Sequence, residues 1–394
     1  MGIRTVGAFV SFTLGLTLLA VVPASGVEVA AVGLAAEPGP VPTVMQAMTD
    51  VKRVGPTDPV TVTGRLLTEA DRLPVADEQV LLQYQRIGRT GWQDGETATT
   101  GRGGRAEWTV WLTNSTRFRV MHRESAAAGA SVSPVRKVQV KPVVSVSLRR
   151  DWVRPAGVVK LQGRVRPAFG GERVTLQRRV SGRWATVSRV QQGEQGRFDF
   201  RIEGMDTYGP QRYRVALDAR DHHLAATSKR VTLTTVRVVT YRIETRGNVS
   251  GALKSFKSRA AEIYADPRGW SRSFIHFLRV KSGGAFSLVL SQAELVPSFA
   301  PICSAYYSCR VGRYVVINED RWRRGTPYFK ASGGTLRQYR AMVVNHETGH
   351  WLGLGHASCG GSGKRAPVMM QQSKGFYGCT PNAWPLPGEV ARAR

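Results

Sequence analysis

A chain of 394 residues, 42% of them apolar, is long enough for several domains with proper cores. Its 56 Lys and Arg against 28 Asp and Glu leave a formal net charge of +28. Such an excess attracts anionic polymers. The basic residues are spread rather than gathered in tracts, and no nucleic-acid motif occurs, so nucleic acid is not an expected partner. Anionic cell-wall polymers or lipid headgroups suit the charge better; the plain alternative is a solvated basic surface.

Residues 1–36 read as an export signal. Arg4 supplies the charged start, Val6 to Val22 is nearly all apolar, and Val22-Pro23-Ala24 offers small residues for cleavage, with a second candidate near Ala35-Ala36. The chain is therefore expected to be secreted or displayed on the cell surface. The apolar run approaches the length of a membrane span, so an uncleaved N-terminal anchor is the alternative. Residues 37–55, opening with Glu37-Pro38-Gly39-Pro40, read as a linker.

Alternating strands follow, and then repeat. Gly64-Arg65 corresponds to Gly163-Arg164, Val80-Leu81-Leu82-Gln83 to Val174-Thr175-Leu176-Gln177, and Trp92 to Trp184. Gly104-Arg105 corresponds to Gly196-Arg197, and Arg117-Phe118-Arg119-Val120 to Arg212-Tyr213-Arg214-Val215. A period of about 95 residues is too long for a solenoid unit and suits a whole sandwich. Two tandem all-β immunoglobulin-like sandwiches are expected, at 56–141 and 142–236. Trp92 and Trp184 are expected to pack at hairpins or in the core rather than to bind ligand. His222-His223 reads as a solvated loop pair.

The third segment, 237–394, mixes elements. Val238 to Thr245 alternates as a strand; Leu253, Phe256, Ala260 and Ile263 have helical spacing that stops before Asp266-Pro267. Strand-like runs follow at Phe274 to Val280, Phe286 to Leu290 and Tyr314 to Ile317. His276 has no partner at ligand spacing and reads as structural. After Gly333-Gly334, Thr335-Leu336-Arg337-Gln338 reads as a capping box that starts a helix. Leu336, Tyr339, Val343, His346 and His350 then share one side.

That helix carries His346-Glu347-Thr348-Gly349-His350-Trp351-Leu352-Gly353-Leu354-Gly355-His356, an H-E-x-x-H-x-x-G-x-x-H pattern. Histidines four apart stand one turn above each other and can share a metal ion. Gly353 lets the chain turn in a conformation closed to most side chains, bringing back His356 as a third ligand. Three imidazoles leave one position of a tetrahedral Zn2+ open. Glu347 is placed to take a proton from water there. Five specified residues at fixed spacing arise by chance on the order of once in 10⁵ chains of this length.

The stretch resembles the metzincin clan of zinc peptidases. That resemblance implies an α+β zincin domain, with a methionine in a tight turn beneath the metal. Ala366-Pro367-Val368-Met369-Met370 lies at a suitable distance, and either Met369 or Met370 fits the role. From HETGHWLGLGHASCG through APVMMQQS to GCTPNAW, the segment is also similar to a family of uncharacterised secreted actinobacterial proteins. The resemblance covers about the last 150 residues. It implies hydrolysis of peptide bonds in a peptide or protein substrate, paired by its backbone with an edge strand. Tyr377 lies near where some metzincins place a transition-state-binding Tyr, at a longer spacing from the methionine. An even number of cysteines in an exported chain suggests disulfides among Cys303, Cys309, Cys359 and Cys379. Three pairings are open. Cys303–Cys309 with Cys359–Cys379 is the preferred one, the latter closing a loop around the methionine turn. The competing class of function is a cell-wall-associated binding protein whose zinc is structural and catalytically silent; Glu347 argues against it, because a structural site needs only ligands.

Overall fold

The computed structural model describes residues 39–393; the export signal and its cleavage sites lie outside the described residues. The first repeat contains β1 (Thr43–Thr49), β2 (Arg53–Val54), β3 (Pro59–Thr68), β4 (Gln79–Arg86), β5 (Gln93–Thr99), β6 (Arg105–Trp111), β7 (Thr116–His122), β8 (Ser131–Val132) and β9 (Arg136–Val140). One sheet has the order β1-β3-β6 and the other β2-β9-β7-β4-β5, with β8 paired to β7. Alternation decides what lies between them. In β6, Ala106, Trp108 and Val110 are buried while their neighbours are exposed. They join Val60, Val62, Leu82, Phe118 and Val120 in one core, which makes this repeat a β-sandwich.

The expected linker at 37–55 needs correction. β1 lies inside it and pairs antiparallel with β3, Met45 opposite Leu66 and Ala47 opposite Gly64. Met45 and Ala47 are fully buried. The Pro-Gly-Pro cluster before β1 and the Gly-Pro-Thr cluster after β2 frame two short strands whose alternation spans too few residues to stand out.

The second repeat contains β10 (Val143–Leu148), β11 (Trp152–Val153), β12 (Val158–Arg166), β13 (Arg173–Val180), β14 (Arg183–Gln191), β15 (Arg197–Glu203), β16 (Gly209–Leu217), β17 (Ala226–Thr227) and β18 (Val231–Thr235). Their orders are β10-β12-β15 and β11-β18-β16-β13-β14, with β17 paired to β16, which is the first repeat's topology element by element. The registers agree too: Leu82 faces Val120, and Leu176 faces Val215. Trp92 and Trp184 are half-buried at equivalent hairpins, with the guanidinium of Arg119 or Arg214 4.3 Å above the ring. The expectation of hairpin packing holds. By chain contacts, however, residues 148–160 and 201–212 group with the segment from 232 onward, and the rest of the second repeat groups with the first, so 236 is not a clean boundary.

The last segment runs β19 (Arg237–Arg246), α1 (Ser250–Ala265), β20 (Ile275–Arg279), β21 (Phe286–Ser291), β22 (Cys309–Val311), β23 (Tyr314–Asn318), α2 (Glu319–Arg324), α3 (Pro327–Ala331), α4 (Leu336–Trp351) and α5 (Pro387–Arg392). The sheet order is β20-β19-β21-β23-β22. Its first four strands pair in parallel, and only β22 is antiparallel, on an edge. Every residue of β21 is buried, as expected of a strand covered on both faces. Phe256, Ala260 and Ile263 of α1 and Tyr339, Val343 and Val344 of α4 share a core with Tyr241, Leu288 and Ile317 of the sheet. Among the described residues no helix is long and apolar enough to cross a membrane.

Candidate metal centre

Helix α4 starts as its sequence requires. Thr335 Oγ1 accepts from the Gln338 backbone N–H at 3.2 Å, and Gln338 Oε1 accepts from the Thr335 N–H at 2.8 Å. Three and four turns later the helix presents His346 and His350. The chain leaves through Gly353 at φ +93°, and His356 returns to the same point. His350 Nε2 lies 3.2 Å from His346 Nε2 and 3.1 Å from His356 Nε2. Ligands at ~2.0 Å around a tetrahedral zinc stand about 3.3 Å apart, so both separations from His350 suit ligands of one ion, and one ring nitrogen from each histidine lies within 4.8 Å of the others.

The tautomers agree. His346 Nδ1 donates to Val368 O and His350 Nδ1 to Leu354 O, each at 2.8 Å. Both rings therefore turn a lone-pair Nε2 inward, the usual arrangement for a metal-binding imidazole. Burial, and then the charge of His350, push His346 down to about 3; burial lowers His350 and His356 too. Neutral imidazoles facing each other at this distance repel unless a cation lies between them. The donor set fits Zn2+.

Glu347, 6% exposed, lines the same cleft, and burial pushes its carboxyl up to about 8. The cleft, about 830 Å³, is walled by Ile302, Tyr307, Arg310 and Lys374. Strand β22 supplies Cys309 and Arg310 to that wall, so the antiparallel edge of the sheet runs beside the site. Tyr377 is 81% exposed and is not among the lining residues. His276 stacks on Trp152 with centroids 4.0 Å apart, in the structural role expected for it.

The floor beneath α4 decides between the methionines. A Cβ on Gly349 would sit 2.2 Å from Met369 Sδ and 2.9 Å from Trp270 Cζ2. Met369 is thus the methionine lodged under the helix, and Met370 fills the core beside it. The turn closes with Met370 N donating to Pro367 O. Glu389 on α5, 2% exposed, accepts from Val368 N at 3.0 Å, Met369 N at 2.8 Å and Leu386 N at 2.7 Å. Sequence reading missed Glu389: α5 is six residues long, too short for periodicity to reveal. Both preferred disulfides are present, Cys303–Cys309 and Cys359–Cys379, with Cα atoms 5.7 and 5.8 Å apart. The second encloses the methionine turn.

Residues 211–380 match the model of a family described as a protein of unknown function, DUF3152. No curated protein matches the chain. Similar solved structures include the D0–D1 domain of intimin, at 12% identity and TM-score 0.20, covering 49% of this chain and 97% of that one. A tetra-tandem repeat from the extending region of a large adhesion protein has 14% identity and TM-score 0.29, covering 50% of this chain and 51% of that one. The Yersinia pseudotuberculosis adhesin InvE has 11% identity and TM-score 0.27, covering 50% of this chain and 59% of that one. Superpositions this weak carry no argument about activity.

Proposed function

We propose that the chain is an exported zinc-dependent hydrolase of peptide or other amide bonds, with a metzincin-like α+β domain at its C-terminal end. The observation that carries this reading is the convergence of three imidazoles, with His350 Nε2 3.2 Å from His346 Nε2 and 3.1 Å from His356 Nε2, beside a buried glutamate in an open cleft. His346, His350 and His356 are the ligands. Zinc held there supplies a Lewis acid that polarises an amide carbonyl and makes water acidic near neutral pH. A cation held at the histidines favours the ionised form of Glu347 against its burial, and that carboxylate accepts the proton of the attacking water and hands it to the leaving amine. The substrate's extended backbone pairs with edge strand β22, which holds the scissile bond over the histidines. Two disulfides support an oxidising, extracellular setting. The sandwiches serve as spacers or as surface-binding units for anionic wall polymers or lipid headgroups.

A second reading has the tandem β repeats in its favour: a surface-binding protein with a silent structural metal. Digestion of a peptide library by the zinc-loaded protein, with a chelator control, separates the two. Chelator-sensitive cleavage is expected; zinc retention with no cleavage of any amide substrate contradicts the enzyme.

A further inference from the structure

The loop between β16 and β17 carries His222 and His223, and it is not the solvated pair that the sequence suggests. His223 is buried, and the rings of both histidines stand against Phe169. Their partner is Glu172, just before β13. His222 Nε2 lies 2.8 Å from Oε1, and His223 Nε2 lies 2.9 Å from Oε2. One donor atom from each of the three residues lies within 4.8 Å of the other two.

Donor counting shows what this arrangement needs. His223 Nδ1 donates to Leu224 O at 3.0 Å. The other nitrogen of a neutral ring is then a lone pair, and it faces a carboxylate oxygen. A cation must stand between them, either a proton or a metal ion. The first repeat contains a simpler network at the equivalent place. There Glu78, equivalent to Glu172, takes His122 Nε2 at 3.0 Å on one oxygen and the Ser125 hydroxyl at 3.0 Å on the other. One imidazole and a hydroxyl suffice to tie down that loop. The second repeat places two imidazoles there, which is more than anchoring requires.

The loop is also set in advance of any ligand. Arg220 and His223 exchange backbone hydrogen bonds at 3.0 and 3.2 Å. His222 O accepts from Ser115 N, and Leu224 N donates to Val140 O, each at 2.8 Å. Ligands held in place by backbone lose little freedom on binding. We propose that Glu172, His222 and His223 form a second metal site, for a borderline divalent ion such as zinc or nickel. A pair of imidazoles with one carboxylate is a donor set that such ions accept.

The test uses the full chain, stripped with chelator and titrated with ZnCl2. His223 is buried, so the informative variant is His222→Ala, whose side chain is 30% exposed and removable without opening the core. Wild type should bind two equivalents, His222→Ala one, His350→Ala one, and the double variant none. Zinc should also raise the melting temperature of His350→Ala but not of the double variant. An equivalent that survives His350→Ala and is lost in the double variant supports the site, whatever becomes of the first centre. Equal zinc content in wild type and His222→Ala, with no residual equivalent in His350→Ala, overturns it.

Discussion

At Gly349 the residue between the two helical histidines has no space for even one carbon. Met369 Sδ and Trp270 stand where a Cβ would be. Gly349→Ala should therefore destabilise the protein by about 1–3 kcal/mol, the usual range for overpacking, although Ala is the better helix former. A melting temperature at or above wild type would contradict this. The three histidines and Glu347 were legible in the sequence because their spacing is dictated by the helix and by one glycine. Gly349 was not: a glycine inside a helical pattern is indistinguishable from a tolerated one until the side chain beneath it is known. The choice of Met369 over Met370 was equally hidden, since both are apolar and both are buried. His223 was misread because adjacent histidines in a loop carry no period, and their partner Glu172 lies 51 residues away.

The elements under the site are held by a short helix and a covalent loop. Among the described residues, Glu389 of α5 is the acceptor for Val368 N and Met369 N. Replacing it with Ala leaves buried N–H groups unpaired. Glu389→Ala should lower stability by about 3 kcal/mol and weaken zinc binding, which calorimetry and metal titration can check. Unchanged zinc affinity would show that the methionine turn does not support the ligands. Replacing Cys359 and Cys379 together with Ser should lower stability by ~3 kcal/mol for a loop of this length. The long strands and both long helices of the last segment follow their sequence periodicity closely. The elements that escaped it, β1, α2, α3 and α5, are short or sit among Pro and Gly, where pattern has too few residues to register.

For the molecule as a whole, the repeat was the most legible feature, because paired Gly-Arg and Trp positions recur at one period and the strand orders then match. The domain boundary was less so. Trp152 stacks on His276, and the segments 148–160 and 201–212 group with the last segment. A fragment beginning at 142 should therefore fold and bind zinc at the His346 centre as the full chain does. One beginning at 237 should melt at a lower temperature, because it exposes His276 and its surroundings. Equal melting of the two fragments would show that the second repeat adds nothing to the stability of the last segment.

The central claim is that Glu347 works on water beside three histidines that hold zinc. Glu347→Gln keeps the size and hydrogen-bonding capacity of the side chain but cannot accept the proton. Zinc content, melting temperature and peptide turnover should be measured side by side in wild type and variant. Zinc and melting should stay near wild type while turnover falls about 10²–10⁴-fold, equivalent to about 2.7–5.5 kcal/mol of barrier. Undiminished turnover in the zinc-loaded variant would contradict the account.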